Sequence, residues 1–136
     1  KQGKAVLVFP SGTRYRPGQP ATREGLREID SYLRLFDVMI LVSTNGSCLR
    51  ISPDNPEDML ADLVYEDVVI MTASPVIACR QFRDEAMAEA PADMEDKKNF
   101  VVQKIMRMLK EQHDEHQGEY LRLYKKATGK DSDYYV

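Results

Sequence analysis

Apolar residues fall in two uninterrupted runs, Ala5–Phe9 and Val38–Val42, separated by a stretch in which Leu26, Ile29, Leu33 and Phe36 recur at threes and fours. A short continuous run rich in Val, Ile and Leu fits a strand buried on both faces, and the three-four spacing is the stripe of an amphipathic helix. The pattern predicts a strand over Ala5–Phe9, a helix from about Arg23 to Phe36 capped by Thr22, and a second strand over Val38–Ser43. Strand, helix and strand in that order predict a right-handed βαβ unit with parallel strands.

Beyond it, Ser52–Pro56 reads as a loop, Asp58–Tyr65 as a short helix, Asp67–Met71 as a third strand and Phe82–Ala90 as a helix ended by Pro91. A long helix from about Asp96 to His116 sets Phe100, Val101, Ile105, Met108 and Leu109 on one face. After Gly118 a last helix covers Glu119–Lys126. The fold class expected is therefore α/β, a partly parallel sheet with flanking helices. One domain covers 1–128 and a polar tail follows over 129–136, expected to fray unless Tyr134, Tyr135 and Val136 dock. The chain opens on Lys and enters a strand almost at once, which reads as a piece of a larger protein, and such a piece is expected to leave an apolar face exposed or covered by a dimer.

Charge changes this picture by segment. Residues 1–37 carry seven basic and four acidic side chains, residues 38–96 three basic and twelve acidic, and the remainder nine and six. An anion site is expected in the first segment, and the acidic middle argues against a nucleic-acid face. No stretch approaches 18 apolar residues, the length a membrane-spanning helix needs. Cys48 and Cys79 form no Cys-x-x-Cys pair and read as two reduced thiols of a cytoplasmic protein.

The sharpest chemistry lies at the first strand exit, Phe9-Pro10-Ser11-Gly12-Thr13-Arg14-Tyr15-Arg16. Gly12 lets the backbone approach a ligand closely, Ser11 and Thr13 add hydroxyls, and Arg14 and Arg16 supply forked donors that match a phosphate or carboxylate. Alternate residues of an extended segment point to opposite sides, so one arginine faces the anion, and Arg14, nearer the strand end, is the choice. Arg16 is expected to contribute less. The second strand exit, Thr44-Asn45-Gly46, is of the same kind, and strand ends are where ligands bind in α/β sheets.

Other readings are weaker. The turn has one glycine and no following Gly-Lys-Ser or Gly-Lys-Thr, so it is neither a Walker loop nor a dinucleotide fingerprint. Ser11 lacks the Gly-x-Ser-x-Gly setting of a nucleophile elbow. His113 and His116 share a helix face with Glu119, but their neighbours are polar and charged, so no metal site is assigned and no cofactor is expected. Lys97, Lys98, Lys104, Arg107 and Lys110 give the long helix a basic side, read as a solvated face over a core stripe, with an anionic membrane surface as the alternative.

The block Phe9-Pro10-Ser11-Gly12-Thr13-Arg14 resembles the Phe-Pro-Glu-Gly-Thr-Arg block of the glycerolipid acyltransferases, the family of glycerol-3-phosphate and 1-acylglycerol-3-phosphate acyltransferases. Val38–Val42 looks like the family's next apolar block, and the likeness covers roughly residues 4–47. The resemblance implies an incomplete acyltransferase domain, its carboxyl-terminal part. In the family this block binds the acceptor phosphate through its arginine, a role that falls on Arg14, with Gly12 and Thr13 shaping the turn and Ser11 standing at the family's acid position. The implied reaction is acyl transfer from acyl-CoA or acyl carrier protein to a hydroxyl of glycerol 3-phosphate or its 1-acyl derivative, a phosphorylated polyol.

The family's base resembles His-x-x-x-x-Asp and lies upstream of the phosphate block. In this chain the residues five beyond His113 and His116 are Gly118 and Leu121, so the pair is absent and the segment alone is expected to be inactive. Implied partners are the acceptor, the donor, the amino-terminal part of the domain, and a membrane surface or a second copy; the expected location is cytoplasmic, with the inner face of a membrane as the alternative. The competing reading is a non-catalytic α/β binding or assembly module whose basic turn recognises an anionic partner.

Overall fold

The computed structural model describes residues 3–12, 16 and 25–135. Its elements are α1 (Ile29–Leu35), β1 (Val38–Met39), β2 (Val42–Asn45), β3 (Leu49–Arg50), β4 (Leu63–Val64), β5 (Ile70–Ala73), β6 (Ile77–Ala78), α2 (Cys79–Glu89), α3 (Lys97–Glu115) and α4 (Gln117–Thr128), with a 3₁₀ turn at Met59–Ala61. The expected Thr22 cap lies outside the described residues.

The strands pair as a nest: β1 with β6, β2 with β5 and β3 with β4, all antiparallel. They form one long, interrupted hairpin ribbon whose arms run over 38–50 and 63–78. This corrects the expected βαβ unit. Ala5–Phe9 joins no ladder and Val38–Asn45 finds its partner 25 residues or more downstream, so no parallel pair forms among the described residues. The chain thus mixes helices with antiparallel ribbons, without the partly parallel sheet. The segment expected as a helix at 58–65 holds only the 3₁₀ turn before returning as β4, and the third strand is Ile70–Ala73 rather than 67–71.

The ribbon carries a bulge. Between the pairs Met39↔Ile77 and Val42↔Ala73, Ile40 and Leu41 face Ser74, Pro75 and Val76. Pro75 has no N–H to offer a ladder, and the Ser74 side chain stands in: its Oγ accepts from the Leu41 N–H at 2.9 Å, while the Ser74 N–H donates to the Leu41 carbonyl at 2.8 Å.

Helices cover one face of this ribbon. Ile29 and Leu33 of α1, Cys79, Phe82 and Ala86 of α2, Val101, Val102 and Ile105 of α3, and Leu41 between β1 and β2 form the core. Asp96 caps α3 by accepting from the Asn99 N–H at 3.1 Å, and Gly129 closes α4 in the left-handed region at φ 73°. The α3 side chain Gln112 straddles the ribbon, its amide donating to the Thr72 carbonyl at 2.6 Å and to Ser43 Oγ at 3.1 Å. That seats the polar residues Ser43 and Asn45 of β2 inward.

The opposite face has no cover among the described residues. Val38, Ile40, Val42, Val69 and Met71 are all exposed there, Met71 by 70%. Val6, Leu7 and Phe9 are exposed as well. A contiguous apolar face of this kind associates with whatever apolar surface is offered. The isolated chain is expected to bind an apolar dye such as anilinonaphthalene sulfonate in its folded state, and Met71→Lys to reduce the fluorescence without lowering the unfolding midpoint. Unchanged fluorescence would mean the face is closed in solution.

Candidate functional site

The arginine turn begins as a closed bend. The Gly12 N–H donates to the Phe9 carbonyl at 2.9 Å, and Gly12 has φ +70°, where a side chain is strained. Leu26, at the approach to α1, donates its N–H to the Pro10 carbonyl at 2.7 Å and lays its side chain under Gly12. The bend is thereby fixed to the start of the helix. Ser11 is half-buried and Gly12 exposed. Thr13 and Arg14, expected to shape the turn and to meet the anion, lie outside the described residues.

Arg16 is buried, and its guanidinium forms a two-pronged pair with Asp62: Nη2 to Oδ1 at 2.7 Å and Nε to Oδ2 at 3.2 Å. Asp62 holds the guanidinium protonated and spends the fork that an anion would otherwise take. The second arginine of the motif therefore ties the turn to the far end of the ribbon, just before β4. Sequence reasoning named Arg16 and missed Asp62; its signal was the excess of carboxylates in the middle segment.

The second strand exit is closed. Asn45 is fully buried, and its Nδ2 donates to the His113 carbonyl at 2.8 Å and to Tyr135 Oη at 2.7 Å. Asn45 Oδ1 is the buried side-chain atom left without a hydrogen-bond partner among the described residues. Gly46 follows at φ +90°, where an added Cβ would lie 2.0 Å from the Val68 carbonyl oxygen and 2.6 Å from the Tyr120 ring. Glycine is required there on both counts. The expectation of an open ligand-binding end at Thr44–Gly46 is corrected: Tyr120 and the docked tail fill it.

Asp67 organises this end of the molecule. Its carboxylate is fully buried and accepts from the Val68 N–H at 2.7 Å, the Ser47 N–H at 2.9 Å, Tyr120 Oη at 2.8 Å and Arg50 Nη2 at 3.0 Å. Arg50 also reaches Asp133 Oδ1 at 3.0 Å and stacks over Tyr134, while Tyr120 bonds Ser132 Oγ at 2.7 Å. Tyr134, 3% exposed, and Tyr135 pack edge to face at 4.8 Å, so the tail docks rather than frays.

His113 joins this network, its Nε2 meeting Tyr135 Oη at 3.1 Å, whereas His116 Nδ1 meets the Gln112 carbonyl one turn back on α3 at 2.8 Å. On the basic side of α3, Lys104 pairs with Glu89 and lies over Phe82, and Lys110 pairs with Asp114. Lys97, Lys98 and Arg107 share that helix. No helix of the described residues is long and apolar enough to cross a membrane. Cys48 is exposed and Cys79 buried, both as free thiols, and burial pushes the Cys79 thiol up, with Asp37 adding to it.

Burial pushes the Tyr120 phenol far above its ordinary value; a hydrogen bond with Ser132 opposes this and the Asp67 carboxylate adds to it. A group whose folded pKa is raised contributes stability that is intact below its unfolded pKa and lost as pH climbs toward the folded one. Stability is expected to fall steeply above about pH 10, the unfolded tyrosine value. Tyr120→Phe loses two hydrogen bonds at pH 8 but flattens that alkaline slope, which urea titrations at pH 8 and pH 10.5 measure. An unchanged slope would place the alkaline transition elsewhere.

No protein-family model, curated protein or solved structure matches the chain.

Proposed function

We propose that the chain is the acceptor-phosphate half of a glycerolipid acyltransferase. It would hold the phosphate of glycerol 3-phosphate or its 1-acyl derivative while acyl-CoA or acyl carrier protein donates the acyl group. The single observation that carries this reading is the block Phe9–Arg14. Its first four residues form a bend clamped to the start of α1, and Arg16, two residues past the block, is spent on Asp62. That division leaves the anion to Arg14, Gly12 and Thr13, with Ser11 beside them.

In the reaction the acceptor hydroxyl loses its proton to a base, its oxygen attacks the thioester carbonyl, and the thiol leaves with a proton. The chain's own share is to bind and orient the phosphate so that the hydroxyl is presented at a fixed reach. The base, His-x-x-x-x-Asp in the family resembled, does not occur among the 136 residues.

The test is made on the full open reading frame. A His-x-x-x-x-Asp pair upstream of Phe9, together with acyl transfer to glycerol 3-phosphate or its 1-acyl derivative by the complete protein, supports the reading. A complete protein without either overturns it. The exposed apolar face of the ribbon favours the second reading, a non-catalytic assembly module, and that outcome would be the one left standing.

A further inference from the structure

Two of the three basic residues in the acidic stretch 38–96, Arg80 and Arg83, converge with Arg34 of α1 on one open cleft between α1 and α2, floored by Leu33 and about 410 Å³ in volume. Beneath it Asp30, its side chain 2% exposed, holds Arg83 by Nε at 2.7 Å and Nη2 at 3.4 Å, and draws Arg34 Nε to 3.6 Å. Both Asp30 oxygens are thereby engaged, and Arg83 Nη1 takes no part in that pair. Arg34 stays half-exposed, with a long contact to Ser31 Oγ at 3.4 Å. Arg80 is exposed and has no hydrogen bond or ion pair among the described residues. The rim carboxylate is Asp84, so three guanidiniums face two carboxylates, one of them buried.

We infer that this cleft is a second anion site, separate from the arginine turn, that takes the phosphate groups of a nucleotide-sized ligand. Planar forks fixed by a buried carboxylate suit phosphate oxygens, and the volume lies within the range of small-ligand pockets, larger than one phosphate requires. The turn is clamped at Leu26, before α1 begins, and the cleft opens at Arg34 in the last turn of that helix, with the five residue steps from Ile29 to Arg34 alone separating them by about 7.5 Å at a rise of 1.5 Å per residue. One small phosphate ester cannot occupy both. For the identity of its ligand the inference rests on the acyl-transfer reading, in which the cleft holds the nucleotide end of the acyl-CoA donor.

The test is calorimetric titration of the chain with adenosine 3′,5′-bisphosphate at low salt. Saturable binding is expected, weakened about tenfold by Arg80→Ala, which removes no contact of the fold, and unchanged by Lys98→Ala on α3. Adenosine should not bind and glycerol 3-phosphate should not compete. Binding indifferent to Arg80→Ala, or weakened equally by Lys98→Ala, overturns the site.

In the complete protein Arg80→Ala should raise the donor KM and leave the acceptor KM alone. If bisphosphate binding depends on Arg80 while Arg14→Ala leaves acceptor kinetics untouched, the acyl-transfer reading fails and the cleft stands. If only carrier-protein donors feel Arg80→Ala and the bisphosphate does not bind, the nucleotide assignment is wrong and the reading stands.

Discussion

Asp67→Ala is expected to cost about 3–5 kcal/mol, the range for removing one member of a buried ion pair. Its carboxylate is fully buried and serves four donors, two backbone N–H groups, Tyr120 and Arg50. Taking it away strands the Ser47 and Val68 N–H groups and leaves Arg50, 9% exposed, leaning on the surface carboxylate of Asp133 alone. Against a total stability of about 5–15 kcal/mol for a domain, this is enough to unfold the chain or nearly so. Asp67→Asn keeps the shape, but its amide must point hydrogens at either the Val68 N–H and Tyr120 or the Ser47 N–H and Arg50. It should therefore recover only part of the loss. Urea unfolding of the three proteins measures the series, and a difference below about 1 kcal/mol for the alanine variant would show that Asp67 is solvated in solution.

Legibility in the sequence followed the range of the interaction. Asp96 caps α3 and Gly129 closes α4 through bonds spanning three or four residues, and these helices lie within two residues of where periodicity put them. The ribbon was not legible. Val38–Val42 is apolar at every position, so its pattern cannot say which face points inward. The alternation shows only at Ser43 and Asn45, the polar residues that turn inward because Gln112, His113 and Tyr135 supply partners. The parallel expectation came from the order strand, helix, strand, which required Ala5–Phe9 to pair, and that segment joins no ladder.

The arginine turn was legible because Pro, Ser, Gly and Arg declare it locally. The carboxylates that decide what arginines do were not, since Asp62 lies 46 residues from Arg16 and Asp67 lies 17 from Arg50. Twelve acidic residues in the middle segment announced that partners existed, not which ones. Arg16, Arg50 and Arg83 are each held by a carboxylate that the fold buries deeply, and Arg80 is not.

On the proposed acyl-transfer reading, Arg14→Ala in the complete protein is expected to raise the KM for the phosphorylated acceptor about 10- to 100-fold, with the donor KM nearly unchanged. A hydrogen bond to a charged group contributes about 1.5–3 kcal/mol, and each 1.4 kcal/mol is a factor of ten. The effect falls on the acceptor because the phosphate is remote from the reacting hydroxyl: binding weakens in ground and transition state alike, which is the signature of a raised KM at little change in kcat. Arg14→Lys keeps the charge but not the fork and should sit between the two.

Arg16→Ala is the informative control. Its guanidinium is committed to Asp62, so its loss should lower the melting temperature and loosen the turn, with a smaller rise in acceptor KM once the protein is folded. Parallel initial-rate measurements with glycerol 3-phosphate varied against a saturating acyl donor separate these cases. Acceptor kinetics that ignore Arg14→Ala, or that respond equally to Arg16→Ala at constant stability, would remove the phosphate site from this turn.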